Sequence, residues 1–421
     1  MAENSMKPRI RFKGYIDAWE QRKLGELGFF KSNGVDKKIN PNEVFVNLLN
    51  YMDVYNRRHI TAKNCDELMQ VTAKPQQVKD NDVQANDVFF TPTSETADDI
   101  GHVLVIEETL PNTVYSYHLM RYRPFDGKFY PTFPNYEFES GFVRYQIVLN
   151  AQGVQRFVLN REAFEQLEIR KPDYAEQEKI SKFLSQLDNM SVLYQQKHDK
   201  ILNIKKALLE KMFPSDTETT PKIRFKGVNG AWEQRKIGDL GVTYAGLSGK
   251  KKEDFGHGEA EFIPYLNVFT HPIADVTMTE AIEIDDRQVK VQNGDVLFTT
   301  SSETPEEVGM SSVWLKNSSN TYLNSFCFGF RLNESINSYY LAYMLRSKDV
   351  RNKIVLLAQG ISRYNISKKK MMEINVPIPT DAEQRKVGEI FKQLDNLINL
   401  YRQQIEKLKN IKSALLEKMF V

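Results

Sequence analysis

Cysteine is almost missing from this chain: in 421 residues only Cys65 and Cys327 occur, without metal-ligand spacing. That excludes a disulfide scaffold or zinc ribbon and leaves two buried, reduced thiols as the expectation. Six histidines are scattered, with no HExxH pair, so no metal site is expected. No apolar run approaches the length of a membrane span, and residues 1–14 lack the apolar core of a signal peptide. A cytoplasmic location with no membrane partner is therefore expected. Charge of one sign is lacking too. The 57 basic and 55 acidic side chains leave a net charge of +2, so bulk charge does not announce a nucleic-acid binder. Catalytic signatures are also absent. There is no GxxxxGK[ST] phosphate loop and no glycine-rich strand–turn–helix element for a methyl donor or dinucleotide. Asn40-Pro41 runs into Asn-Glu rather than Pro-aromatic, so an NPPY-type adenine-methylating motif is missing. ATP hydrolysis and base methylation are thus not expected of this chain by itself. Asp173, Glu176 and Glu178 beside Lys179 could suggest a nuclease, but these acids crowd a helix start, where capping accounts for Asp173 and Glu176.

What is present is a repeat. The length fits two or three domains, and the order of parts occurs twice. IRFKGYIDAWEQRKLGELG (Ile10 to Gly28) returns as IRFKGVNGAWEQRKIGDLG (Ile223 to Gly241), and DVFFTPTSETADDIG (Asp87 to Gly101) returns as DVLFTTSSETPEEVG (Asp295 to Gly309). AQGVQRFVL (Ala151 to Leu159) returns as AQGISRYNI (Ala358 to Ile366), and the stretch from Pro172 to Phe213 returns from Pro379 to Phe420. Between these landmarks the two halves scarcely match, as two readers of different targets on a fixed frame would require.

The last repeated stretch reads as a long helix. Apolar residues recur at seven-residue steps: Ile180, Leu187, Tyr194, Ile201 and Leu208, then Val387, Leu394, Tyr401, Leu408 and Leu415. Phe183, Met190, Ile204, Ile390, Leu397 and Ile411 are expected to fill the same face, making a coiled-coil seam. Asp173 and Thr380 are N-cap candidates with Glu176 and Glu383 three residues on, the pattern of a capping box, and Pro214 stops the first helix. Two such helices in one chain are expected to pair antiparallel within it, because linkage raises their effective concentration; two independent dimerisation zippers are the alternative. At about 39 residues each helix is roughly 59 Å long.

The expected fold class is α+β. Two globular units at residues 1–172 and 214–379 are each followed by a long helix, at 173–213 and 380–421, with SDTETTP (Ser215 to Pro221) as the linker. Val88-Phe89-Phe90 and Val296-Leu297-Phe298 read as buried strands entering hydroxyl-rich turns, Phe326, Phe328 and Phe330 as one face of a half-buried strand, and Asn337 to Ala358 as helical.

Candidate contact residues lie in the shared loops. Thr93 and Ser94, like Ser301 and Ser302, can donate to phosphates or base edges, or serve ordinary turn chemistry. Gln152 and Arg156, like Gln359 and Arg363, carry side chains suited to adenine and to guanine or phosphate, beside a glycine that permits close approach; a solvated arginine at a glycine turn is the alternative. Lys368, Lys369 and Lys370, Arg121-Tyr122-Arg123, and the stretch from Tyr51 to His59 are local basic faces, or simply solvated surface.

In its repeated FxG…AWEQRK, DVLFTTSSET, Pro-x-x-x-Glu-Gln (Pro172, Glu176, Gln177; Pro379, Glu383, Gln384), LDN and KALLEKMF elements, the chain resembles the specificity subunits of bacterial type I restriction-modification enzymes over essentially its full length. The resemblance implies two target recognition domains, each reading half of a bipartite double-stranded DNA site. It implies an antiparallel pair of helices, with Leu187, Tyr194, Ile201, Leu208, Leu394, Tyr401, Leu408 and Leu415 in its seam, that sets the half-site spacing and docks two methylation subunits. The roughly 59 Å rod bounds that spacing at about 17 base pairs. S-adenosylmethionine, ATP and Mg belong by the same resemblance to the methylation and motor-nuclease subunits, and no cofactor to this chain. A coiled-coil adaptor whose units bind protein is the other reading, and an enzyme with an unrecognised nuclease or methylase site a third.

Overall fold

The structure is a computed structural model describing residues 6–215 and 217–421. Residues 1–5, within the stretch read for a leader, and Asp216 of the linker lie outside the described residues. The chain divides into two compact units, Met1–Tyr194 with Gln404–Val421, and Gln195–Gln403. Each unit therefore contains the head of one long helix and the tail of the other.

At the centre of the first unit is a four-stranded antiparallel sheet in the order Gly28–Lys31, Met120–Pro124, Val88–Phe90, Val103–Val105. Strand alternation sends Val88 and Phe90 into a cluster with Trp19, Phe133 and Phe164, and Phe89 into a second cluster with Leu49, Val54 and Tyr115. Both faces of the sheet are thus covered, which is why Val-Phe-Phe is continuously apolar. A second sheet pairs Val44–Leu49 antiparallel with Met69–Ala73 and parallel with Thr113–Tyr115. Two short ribbons complete the frame, Glu20–Lys23 with Glu168–Lys171 and Thr93–Ser94 with Phe157–Val158.

The second unit has the same four sheets in the same orders. Its central sheet runs Gly241–Ala245, Cys327–Leu332, Val296–Thr299, Ser311–Val313. Phe255–Ile263 pairs antiparallel with Glu280–Ile282 and parallel with Thr321–Leu323. The ribbons are Glu233–Lys236 with Asn375–Ile378 and Ser301–Ser302 with Tyr364–Asn365. A bulge lies between Phe255 and Ala260, both of which face Ile282, so this is one place where the differing sequence is absorbed. Two expectations need correction. The strand at Cys327–Leu332 is covered on both sides, Phe328 and Phe330 by one cluster and Cys327 by another, while Phe326 lies before it and is exposed. Asn337 to Ala358 forms two helices, Ser338–Met344 and Lys348–Val355.

The long helices span Tyr174–Lys211 and Asp381–Met419, about 57 and 59 Å at 1.5 Å per residue. In the first unit Lys412 Nζ donates to Asp188 Oδ1 at 2.6 Å, and Phe420 packs on Trp19 with ring centroids 5.7 Å apart. In the second, Lys205 pairs with Asp395, and Phe213 packs on Trp232 and Phe391. Within each unit the two helix segments therefore run antiparallel, each tail ending in the apolar core. Leu394 and Leu408 are buried; Leu187, Tyr194, Ile201, Leu208, Tyr401 and Leu415 are half-buried. The three-on positions depart from expectation: Met190, Ile204, Leu397 and Ile411 are 37–43% exposed, so the buried stripe is narrower than a full heptad face.

The helix starts are also built differently from a capping box. Asp173 Oδ1 accepts from Glu176 N at 2.8 Å, but the Glu176 carboxylate accepts from Arg11 (2.7 and 2.8 Å) and from Trp19 Nε1 (3.3 Å). Glu383 does the same for Arg224 (2.8 and 2.9 Å) and Trp232 Nε1 (3.1 Å). Gln177 and Gln384 each accept from a backbone N–H, of Tyr130 and Asn337, and donate back to Pro172 O and Pro379 O. The repeated Arg, Trp and Glu-Gln residues thus fasten each unit's first segment to the head of its long helix.

Candidate nucleic-acid interface

In each unit the candidate residues converge on one small hairpin. Gln152 and Val158 exchange backbone hydrogen bonds of 3.0 and 2.8 Å, and Gln359 and Asn365 do the same at 3.0 and 2.8 Å. The outgoing strand of each hairpin pairs with the hydroxyl-bearing strand, Phe157–Val158 against Thr93–Ser94 and Tyr364–Asn365 against Ser301–Ser302. Gly153 has φ 144° and Gly360 φ 145°, and a Cβ there would lie 2.0 or 2.1 Å from the carbonyl oxygen of Arg156 or Arg363. Only glycine fits these positions.

The serines and arginines behave differently. Ser94 and Ser302 are buried, and each hydroxyl donates within its own loop, to Thr96 O and Thr304 O. Their donors are committed to turn chemistry. Ser301 is buried as well, and its carbonyl accepts from Tyr265. Thr93 is half-buried and accepts from Arg156 Nη2 at 3.1 Å. Arg363 lies over the exposed Phe326 ring at 5.8 Å. Gln152, Gln359, Arg156, Arg363, Lys368 and Lys369 are all exposed, so their polar ends are accessible to a ligand. Lys368 also reaches over the Phe328 ring, 5.4 Å away. Other expected basic faces are not there. Arg121 is buried, and Arg123 forms a two-pronged pair with Asp87 at 2.6 and 2.7 Å, matched in the second unit by Arg331 with Asp295. These arginines hold the sheet together. In the stretch from Tyr51 to His59, Arg57 pairs with Glu139 and Arg58 with Glu67.

Two sets of positioning residues went unrecognised in the sequence. Tyr51 Oη donates to Thr93 O at 2.6 Å and Tyr265 Oη to Ser301 O at 2.7 Å. Each ring stacks on an aromatic one helical turn further on, Tyr55 (6.0 Å) or Phe269 (5.8 Å). Burial raises both phenols, which therefore stay protonated donors at neutral pH. The signal was the shared Tyr-x-x-Val-aromatic spacing at Tyr51 and Tyr265. Arg144 donates to Asp98, Ile100 and Gly101 carbonyls, and Arg351 to those of Glu306, Val308 and Gly309. They clamp the loop after each hydroxyl strand to the helix before each hairpin. Their signal was the Val-Arg shared eight residues before each Gln-Gly.

In the second unit these parts border a groove of about 480 Å³ lined by Tyr265, Phe269, Ser302, Glu303, Glu307 and Arg363. The first unit carries Glu95 and Asp99 at the places of the two glutamates, Asp99 accepting from Tyr55 Oη. A mixed lining of acid, arginine and stacked ring suits hydrogen-bond reading of base edges better than tracking of phosphates alone. Among the described residues no cluster of metal-ligating side chains occurs, and no helix is long and apolar enough to cross a membrane.

Comparison with known proteins finds the same doubling of the chain. Residues 16–203 and 229–410 each match the family described as type I restriction modification DNA specificity domain. A Methanocaldococcus jannaschii protein provisionally named the MjaX type I restriction enzyme specificity subunit is 21% identical over 416 residues, covering 94% of this chain and 92% of its own. The EcoKI specificity subunit of Escherichia coli K12 is 23% identical over 193 residues, covering 44% of this chain and 41% of its own. The crystal structure of the type I restriction-modification S subunit from M. genitalium superposes with a TM-score of 0.57 at 15% identity, covering 99% of both chains. With both of its repeats matched, the chain belongs to the type I restriction-modification DNA specificity family.

Proposed function

We propose that this chain is the DNA-reading subunit of a type I restriction-modification complex, each unit reading one half of an asymmetric bipartite site. The observation that carries this is the recurrence of one constellation in both units, a glycine hairpin with exposed Gln and Arg beside a hydroxyl strand and a tyrosine stacked on a second aromatic ring, amid sequence that otherwise differs. A constant frame with changed filling gives two different half-sites. Each half-site then meets its own copy of the frame.

The long helices set the separation of the half-sites and dock two methylation subunits. Met190, Val192 and Leu193 midway along the first helix, and Leu397 and Leu400 midway along the second, are exposed, and exposed apolar side chains grouped on a helix fit a protein partner. Adenine N6 methylation, with its S-adenosylmethionine, then resides in the methylation subunits, and ATP- and Mg-dependent cleavage in the motor-nuclease subunits. This chain contributes base reading and geometry.

The test is DNA binding by the complex with its methylation subunits. Arg156→Ala and Arg363→Ala, made singly, are expected to lower affinity by about 1–3 kcal/mol and relax selectivity in one half-site each. Unchanged affinity and selectivity in both would remove these arginines from the interface. A wild-type complex that shows no preference among DNA sequences would favour the adaptor reading instead.

A further inference from the structure

The hairpins carry a feature that base reading leaves unexplained. At their tips sit Val154 and Ile361, 93% and 95% exposed, the two most exposed large apolar side chains among the described residues. Each follows the glycine whose conformation and close approach to the Arg156 or Arg363 carbonyl force the chain outward. Nothing in its own unit covers either side chain. An aliphatic group held in water at a turn forgoes the gain of burial, and turns of this kind favour polar residues.

The pattern of what is shared points to the role. The residue after the tip differs, Gln155 against Ser362, as does the one after the arginine, Phe157 against Tyr364. The β-branched aliphatic tip, the Gln and the Arg recur. A side chain without hydrogen-bonding groups cannot discriminate most base edges, and two readers of different half-sites would not share one for that purpose. It serves something both half-sites need. On the reading above, that common need is extrusion of one adenine from the stack, which costs unpairing and unstacking. Apolar side chains inserted between base steps unstack them and kink the duplex in other DNA-distorting proteins, which is the deformation that extrusion requires. Arg156 and Arg363 stand two residues from each tip, exposed, so that each tip has beside it a guanidinium suited to a phosphate; Lys368, Lys369 and Lys370 are exposed just beyond the second hairpin.

We propose that Val154 and Ile361 are wedges that enter the base stack beside the adenine each unit presents for methylation. The inference rests on the DNA-reading function proposed above, and its failure is separable from failure of that function. The experiment uses the complex with methylation subunits and duplexes carrying 2-aminopurine at the methylated adenine of one half-site or the other. With wild-type protein, binding is expected to raise the fluorescence at either position. Val154→Ser is expected to lower that rise, and the single-turnover methylation rate, by about tenfold or more in the first unit's half-site alone. Ile361→Ser should do so only in the other half. Val154→Ile and Ile361→Val should retain both signals, and sequence preference should stay unchanged throughout. Full extrusion and methylation in both serine variants would overturn the wedge. A changed base preference would overturn it in favour of methyl-group reading, and loss of co-purifying methylation subunits would overturn it in favour of protein docking. Absence of any selective binding by wild type would overturn the DNA-reading function itself.

Discussion

Glu137 ends the short helix Pro134–Glu137 and is 1% exposed. Its Oε1 accepts from Arg170 N at 3.0 Å, and its Oε2 has no hydrogen-bond partner. Burial outweighs the help from Arg170 and pushes the carboxyl up to about 8, from an ordinary 4.5. The folded chain therefore binds one more proton than the unfolded chain between those pH values. The stability this proton confers is complete below about pH 4.5 and is lost as pH rises through about 8, on the order of 5 kcal/mol in all at 1.36 kcal/mol per pH unit. Between about pH 5.5 and pH 7.5 the loss is about 2–3 kcal/mol, or roughly 5–10 °C in the melting of a unit this size. Glu137→Gln keeps an acceptor for Arg170 N and removes the titration. The second unit carries the buried Met344 at the matching position, so Glu137→Met is a control of similar volume. Calorimetric unfolding of wild type and both variants across that pH window isolates the effect, because other titrating groups cancel in the differences. Both variants should gain on wild type as pH rises. A difference that stays constant with pH would refute the reasoning.

Other consequences follow from the same packing. Glu383→Ala strands Arg224 and Trp232 Nε1 without their shared acceptor and is expected to cost about 3 kcal/mol in urea unfolding, whereas a loss under about 0.5 kcal/mol would contradict the fastening role. Phe420→Ala removes a buried ring 5.7 Å from Trp19 and 5.8 Å from Phe133; about 3–4 kcal/mol should be lost, with earlier proteolysis near residue 404 as the helix tail detaches. Gly360→Ala drives a Cβ into the Arg363 carbonyl, so DNA affinity should fall for the second unit's half-site while helix content by circular dichroism is unchanged. Burial pushes the Cys327 thiol up to about 12, so it should resist a thiol reagent at about pH 8 until the chain unfolds.

The long helices were legible because a seven-residue period survives in plain sequence, and so were the glycine turns, though not the hairpins they close, because Gln-Gly-x-x-Arg recurs. The sheets were legible only at the apolar runs of Val88–Phe90 and Val296–Thr299. Other strands are as short as two or three residues, as at Thr93–Ser94 and Val103–Val105, below the length at which alternation can be read. The same limit made Phe326, Phe328 and Phe330 look half-buried, since the cluster covering Cys327 is built from distant segments. Partners far apart in sequence account for the remaining differences. Arg123 looked like a phosphate contact because Asp87 lies 36 residues away, and Glu176 looked like a cap because Arg11 lies 165 residues away. Tyr51 and Tyr265 were obscured for another reason: the Tyr-x-x-Val-aromatic spacing marks them as a pair, but the backbone carbonyls they bond, of Thr93 and Ser301, lie 42 and 36 residues away.

The central claim, that one chain holds two independent readers of DNA sequence, is tested most directly by mapping adenine methylation across the host genome with and without this gene, in cells expressing the methylation subunits. Loss of methylation at a single asymmetric bipartite motif is predicted, with only one half of that motif changing when residues 1–172 are exchanged for those of another such chain. A methylation map unaltered by deletion of the gene would contradict the account.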